Sequence, residues 1–292
     1  MQLARQAPTM HRRRLCSAAA QQLAVMDIPG KARSVVATAA IPPHTTVHVA
    51  SPMAQVLKVR AASQHCDHCL TPTAAEERHG ARCCSQTCLD AFARRGGDLL
   101  QRVDLAPLRR LHETQDRKFP LLIAEMLAGL LAEIKHTKAL PSSWEPLELC
   151  FAELHSEAAL QVETEHAQLV GAFVDAGLAN TQTLELFLPL ARYRRLLGAA
   201  QLNAFELTLS HGAVVSALLP GLASCFNHSC EPNVLIMCGE THEVAFVTGE
   251  EPVAPETELC ISYIDLTMGR DERRELLLHK YGFECECARC QR

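Results

Sequence analysis

Asn227-His228-Ser229-Cys230-Glu231-Pro232-Asn233 stands in the last third of the chain, and Cys285-Glu286-Cys287-Ala288-Arg289-Cys290 stands just before its end. The second stretch offers three thiolates within six residues. A tetrahedral all-cysteine zinc site needs four. Cys230, in a segment crowded with polar and turn-forming residues, is the natural fourth. One metal ion would then tie the Asn-His loop to the C-terminal segment, which places the search for function beside that loop.

The rest of the composition fits a reducing compartment and bound metal. The 292 residues are 48% hydrophobic with a net charge of −5, an ordinary balance for a globular chain. Eight of the fourteen cysteines cluster as CxxC, CCxxxC and CxCxxC, which is metal-ligand spacing rather than a disulfide framework. The mildly acidic balance argues against general affinity for nucleic-acid phosphates. No apolar run reaches the roughly 18 to 20 residues that span a bilayer. Residues 1–26 carry Arg5, Arg12, Arg13 and Arg14 and one acid-free run, which fits either an organellar transit peptide or a disordered Arg- and Ala-rich tail.

Periodicity divides the remainder. Ser34–Thr38 and Val47–Val49 are β-rich, with Pro42-Pro43 between them. Residues 63–95 are rich in cysteine and histidine. From Leu99 to Leu197 the spacing turns helical; Leu121, Leu122, Met126, Leu130 and Ile134 share one face, and further helices fit residues 146–160, 163–176 and 183–197. Strands return at 233–237, 243–247 and 258–263, followed by a charged helix over 271–281. Within that helix, the run from Asp271 to Glu275 reads as a solvated face.

Asn227-His228-Ser229-Cys230-x-Pro-Asn233, followed by Glu258-Leu-Cys-Ile-Ser-Tyr263-Ile-Asp-Leu266 and the CxCxxC tail, resembles the SET domain of lysine methyltransferases, in particular the SET-and-MYND class. The resemblance covers roughly residues 25–290. It implies an α+β, β-rich SET fold with a pseudoknot in which the Asn-His and tyrosine segments cross. A small zinc insert and a helical insertion would interrupt it. The implied layout is an N-terminal segment (1–26), an N-terminal SET part (27–62), a MYND-like insert (63–95), a helical insertion (96–200), a C-terminal SET core (201–268) and a post-SET zinc tail (269–292). Members of the class often continue into a helical C-terminal domain. This sequence stops two residues after Cys290, so a more open lysine mouth is expected.

The resemblance also assigns roles. Tyr263 matches the tyrosine that orients the target amine, and Tyr281 the one that lines the lysine channel. Lys31, Arg33, Asn203, Ser224, Asn227, His228 and Phe283 match positions that hold S-adenosylmethionine. The loop Gly30-Lys31-Ala32-Arg33-Ser34 departs from the class pattern, because Ala32 and Ser34 replace glycines. A Cβ there would restrict positive φ and close backbone approach. Cys66, Cys69, Cys84 and Cys88 match the first zinc of a MYND module, and the ligands of its second zinc are missing; Cys83 could replace Cys84 by a register shift. Cys230, Cys285, Cys287 and Cys290 form the second structural zinc site.

The implied activity is protein-lysine N-methylation with S-adenosylmethionine and two structural Zn²⁺. The expected partners are a protein substrate presenting a lysine, with histones among the candidates, and a peptide for the zinc insert. The expected assembly is a monomer without membrane or direct nucleic-acid contact, located in the nucleus or cytoplasm unless the Arg-rich start directs it to an organelle. A non-catalytic SET scaffold working through its zinc insert is the alternative.

Overall fold

In the computed structural model, which describes residues 2–3, 5–6, 22–58, 65–77, 80–139, 159–219 and 221–292, the β-rich runs of the sequence become short strands. Most of them belong to a first unit made of Met1–Pro52, Ala204–Val214 and Leu219–Arg292. Two two-residue strands, β1 (Gln2–Leu3) and β2 (Arg5–Gln6), lie in the N-terminal segment 1–26, which was expected to be a disordered tail or a transit peptide. They pair in parallel with β7 (Ala204–Thr208) and β10 (Val234–Cys238). Residues 7–21 fall outside the described set. The boundary expected at residue 27 falls inside β3 (Leu23–Ile28).

β3 forms an antiparallel hairpin with β4 (Ala32–Ala37), in register from Ile28–Ala32 to Leu23–Ala37. The turn needs a left-handed residue, and Gly30 supplies it at φ 80°. β10 pairs with β11 (Val244–Thr248), which pairs in turn with β5 (Thr46–Ala50), both antiparallel. Phe246 of β11 stacks on Phe226 at 4.7 Å and meets Phe205 edge-on at 6.2 Å, which forms an aromatic centre under these strands.

Two further strands of this unit carry the signature segments. β9 (Asn227–His228) runs parallel to β12 (Cys260–Ile261), with Asn227 opposite Cys260 and His228 opposite Ile261. The segments that the resemblance makes cross are thus side by side. Asn233 fastens them further: its side chain donates to the Glu258 carbonyl at 2.9 Å and accepts from the Cys260 N–H at 2.8 Å.

The second unit, Met53–Asn203 with Val215–Leu218, holds the cysteine insert and the helices. In it β6 (Ala54–Leu57) pairs antiparallel with the end of β8 (Val214–Leu218). The insert leads into α1 (Gln86–Arg94), whose N-cap Ser85 accepts from the Cys88 N–H. Then come α2 (Gly97–Leu100), α3 (Ala106–Gln115) and α4 (Phe119–Thr137). The sequence gives α4 one apolar face. The structure buries ten of its residues, including the consecutive run Pro120 to Ala124, so it is the central helix of this unit. Its Glu125 is tolerated because the carboxylate accepts the Gln55 backbone N–H at 2.9 Å.

The helix expected over 146–160 lies outside the described residues, apart from its last two. α5 (Ala159–Asp175) follows. The single helix expected over 183–197 is two, α6 (Thr181–Phe187) and α7 (Leu190–Asn203). Pro189 is the cause: it bars its predecessor from helical angles, and Leu188 sits at φ −130°, ψ 57°. No described helix is long and apolar enough to cross a membrane.

One glycine in this unit carries a sharp test. Gly96 sits at φ 81°, and a Cβ there would lie 2.3 Å from the Ala128 carbonyl oxygen and 2.7 Å from the Gly129 nitrogen. Gly96→Ala should therefore cost at least about 2 kcal/mol, combining left-handed strain with a backbone clash. Chemical denaturation would check it, and an unchanged midpoint would contradict the packing of α1 and α2 on α4.

Candidate active site

Each cysteine set fits a zinc ion. The four sulfurs of Cys66, Cys69, Cys84 and Cys88 lie within 4.8 Å of one another, as do those of Cys230, Cys285, Cys287 and Cys290. A tetrahedron with Zn–S bonds of about 2.3 Å has sulfurs about 3.8 Å apart. The separations match: 3.6 Å for Cys69–Cys84, 3.5 Å for Cys84–Cys88, 3.5 Å for Cys230–Cys290 and 4.0 Å for Cys230–Cys285. Cys84, not Cys83, completes the insert set. The Cys83 thiol stays outside it, pushed up to about 12 by burial. Four thiolates leave no open position, so both sites are structural in kind.

The tail site has a component that sequence reading misplaced. Arg273, in α8 (Arg270–Tyr281), was expected on a solvated face, yet it is only 3% exposed. Its neighbours Asp271, Glu272 and Glu275 are the exposed ones. The guanidinium donates to the Cys230 sulfur at 3.2 Å, to the Cys290 sulfur at 3.9 Å and to the Met268 carbonyl at 2.8 Å. Zinc with four thiolates carries a net charge of −2, and a buried cation hydrogen-bonded to two of the sulfurs offsets part of it. Removing such an outer partner typically costs 10- to 100-fold in metal affinity. Arg273→Met should accordingly release the tail zinc, and not the insert zinc, to a competing chelator. Equal release from both sites would contradict this role.

The tail set brings the aromatic residues together. Cys230, Cys285 and Cys290 share a core cluster with Ile264 and Leu277, and Tyr263, Tyr281 and Phe283 pack against it. Tyr263 and Tyr281 have ring centres 4.9 Å apart. Phe283 meets Tyr263 edge-on at 6.4 Å and lies 6.1 Å from His228. The Tyr263 hydroxyl donates to the Phe226 carbonyl at 2.8 Å, and burial holds the phenol well above its ordinary pKa. It is a neutral hydroxyl with lone pairs left to accept a hydrogen bond, not a base. Tyr281, raised likewise by burial, reaches the Tyr263 carbonyl at 3.4 Å.

His228 links the aromatic cluster to the metal set. Its Nδ1 accepts the Tyr263 backbone N–H at 3.0 Å, which puts the ring proton on Nε2, 3.3 Å from the Cys230 sulfur. Burial, aided by the charge of Arg273, holds its pKa down at about 4, so the ring is neutral at neutral pH.

Asn227 faces the other way. Its Nδ2 donates to the Ser34 hydroxyl at 2.7 Å and to Glu258 Oε1 at 2.9 Å, with the Arg33 carbonyl at 3.3 Å. Lys31, expected to face a cofactor carboxylate, is ion-paired with Glu258 Oε2 at 2.6 Å. Ala32 and Ser34 lie in the extended backbone of β4, opposite Ile28 and Met26. The positive φ of this loop falls on Gly30. The expected conflict between a Cβ and positive φ therefore does not arise, and Ser34 contributes a hydroxyl that a glycine lacks.

Ser224 and Asn203 have local partners. Ser224 lies in the 3-10 turn Gly221–Cys225 and donates to the Gly221 carbonyl at 2.7 Å. Asn203 belongs to the second unit and ends α7, where its Nδ2 donates to the Ala199 carbonyl at 2.8 Å. Glu258, Asn233 and Arg273 were given no role from sequence. Asn233 and Glu258 stood inside the quoted motifs, but the only signal for Arg273 was its spacing of one helical turn from Leu277.

The SET domain family model matches residues 32–264, and the chain belongs to that family. With its two cysteine sets it is a SET-and-MYND-like member with an α+β SET fold. It is similar to "Histone-lysine N-methyltransferase ATXR4" of Arabidopsis thaliana, 27% identical over 89% of this chain and 83% of that protein. It is also 27% identical to "N-lysine methyltransferase SMYD2-A" of Danio rerio, over 90% of this chain and 58% of that protein. Among solved structures it resembles "Crystal structure of the SET domain of LSMT bound to Lysine and AdoHcy", with a TM-score of 0.38 and 14% identity, over 90% of this chain and 53% of that chain.

Proposed function

We propose that this chain is an S-adenosylmethionine-dependent protein-lysine N-methyltransferase. One observation carries the reading: in a SET-family chain, Tyr263, Tyr281 and Phe283 are gathered beside Asn227-His228 by the tail cysteine set. Its relatives in Arabidopsis thaliana and Danio rerio are named as lysine methyltransferases, which supports the same reaction.

S-adenosylmethionine supplies, when bound, a methyl group on a sulfonium, open to in-line displacement by an amine. The work left to the chain is positioning. A lysine amine has a pKa near 10.4 in water and must be neutral to attack. The aromatic surfaces of Tyr263 and Tyr281 desolvate it and so disfavour the charged form. The Tyr263 hydroxyl, with its proton directed to the Phe226 carbonyl, accepts a hydrogen bond from the amine and aims its lone pair. Phe283 offers a ring face for the adenine, and His228, fixed by Tyr263 and Cys230, braces the same surface. Asn227 and Lys31 take the amino-acid end, with Arg33, Ala32 and Ser224 completing the set. The substrate is a protein lysine, with a histone among the candidates.

Tritiated methyl transfer from S-adenosylmethionine to lysate proteins, with mass spectrometry of the labelled sites, tests this. Label on lysine is the expected result. Label absent, or confined to other residue types, overturns the reading.

A further inference from the structure

We propose that Glu258 is a positioning residue for the amino-acid end of the cofactor, aiming Lys31 and Asn227 at once. The inference rests on the methyltransferase reading and goes beyond it, since that reading assigns Glu258 no part.

The carboxylate is held from its own backbone outward. The Leu259 N–H donates to the Val35 carbonyl at 2.8 Å and the Ala37 N–H to the Thr257 carbonyl at 3.0 Å, so residues 257–259 lie against β4. Asn233 holds the Glu258 carbonyl from the opposite side. The Glu258 side chain, 15% exposed, then divides its oxygens: Oε2 takes Lys31 and Oε1 takes Asn227. Ser34, fully buried, is a third member; its hydroxyl accepts from Asn227 and hydrogen-bonds the Glu258 carboxylate. The hydrogen bond to Glu258 raises the pKa of Lys31. Burial pushes Glu258 up, but its hydrogen bonds from Lys31 and Asn227 outweigh that and leave it lowered. Both partners are charged at neutral pH.

The consequence lies in what is left over. An ammonium has three donors, and Glu258 uses one. The Lys31 side chain is 52% exposed, so the other two remain for a ligand carboxylate. An amide has two N–H donors, and Ser34 and Glu258 take both from Asn227. The amide cannot flip, and its Oδ1 is left as an acceptor for a ligand ammonium. One carboxylate thus presents a cation and a fixed acceptor side by side, complementary to a zwitterionic α-amino acid. A lone Lys31 would attract the carboxylate of that group and repel its ammonium. Paired with Glu258, the ensemble is neutral overall, as the zwitterion is.

The test compares two ligands on the full-length chain. S-adenosylhomocysteine carries the amino-acid end; 5′-methylthioadenosine has the same adenosine and sulfur without it. Glu258→Gln keeps an acceptor for Asn227 and removes the charge that holds Lys31. It should weaken S-adenosylhomocysteine by about tenfold, the scale of one charge-assisted hydrogen bond, and leave 5′-methylthioadenosine unchanged. Glu258→Asp keeps the charge, withdraws it by one methylene, and should give the same selective loss, so the claim stays testable if the glutamine variant folds poorly. Equal loss for both ligands would mean a merely structural role and overturn the proposal. So would unchanged or tighter S-adenosylhomocysteine binding, the outcome if the ion pair competes with the ligand. Wild-type chain that binds neither ligand would overturn the methyltransferase reading and this proposal with it.

Discussion

Replacing Cys287 with serine should lower the zinc content from two ions per chain to one and abolish cofactor binding in the same step. The tail set comprises four sulfurs from two stretches, Cys230 and Cys285 to Cys290, and losing one thiolate opens a site that otherwise has no free position. Structural zinc binding is worth on the order of 10 kcal/mol in small zinc domains, and that energy is folding energy. Outside the metal set, the segment is held by Arg289, which donates to the Leu266 carbonyl at 3.0 Å and the Cys230 carbonyl at 3.4 Å. The apolar cluster around the sulfurs contains only Ile264 and Leu277 as buried non-cysteine members, and α9 (Ala288–Gln291) is a single turn. Tyr281 and Phe283 reach their positions because Cys285 follows directly. His228 is braced by the Cys230 sulfur, so the Asn-His loop should loosen as well. Elemental analysis with calorimetry of S-adenosylhomocysteine on the same sample checks both halves. Two zinc ions in the variant would remove the tail site, and one zinc with unchanged affinity would separate the metal from the pocket.

Tyr263→Phe should reduce methyl transfer by about 10²- to 10³-fold while leaving cofactor affinity within twofold, the pattern for loss of one oriented hydrogen-bonding group in a desolvated site. The ring stays, so its contacts with Tyr281, Phe283 and His228 persist. The hydroxyl goes, and the Phe226 carbonyl loses its donor at a cost of about 1 kcal/mol in stability. A drop in kcat with intact binding and a small change in denaturation midpoint is therefore the expected signature. Tyr281→Phe should be milder, because its hydroxyl contact with the Tyr263 carbonyl is longer at 3.4 Å. Unchanged turnover in Tyr263→Phe would remove this residue from the reaction.

Local chemistry was the legible part of this sequence. Thiolate spacing marked both cysteine clusters, because ligands at one metal leave a count and an interval in the chain, while the choice of Cys84 over Cys83 came from the family resemblance. The strands around Val47, Val234 and Val244 showed as β-branched runs. Pro189 is visible in the sequence too, yet the apolar periodicity on either side of it masks the split of one helix into α6 and α7. The strands β7 and β8 went unread, although Phe205-Glu206-Leu207 alternates and Gly212, at φ 87°, marks the turn between them. Composition alone could not reveal Arg273. A charged helix face looks solvated until a metal site sits beneath one of its residues. The role of Glu258 was equally hidden, since it depends on β4 lying against residues 257–259, and no local rule reads a contact between positions 31 and 258. The concern over Ala32 and Ser34 came from assigning positive φ by pattern; the structure spends that conformation on Gly30 instead.

A working cofactor site built from the Asn-His loop, the aromatic cluster and the tail cysteines differs from the remnant of one in a scaffold by binding S-adenosylmethionine. Calorimetric titration of the full chain, loaded with two zinc ions, with S-adenosylmethionine tests that most directly. Saturable binding of one cofactor per chain is the predicted result. No heat of binding at millimolar cofactor, from a chain whose zinc content and fold are intact, would contradict it.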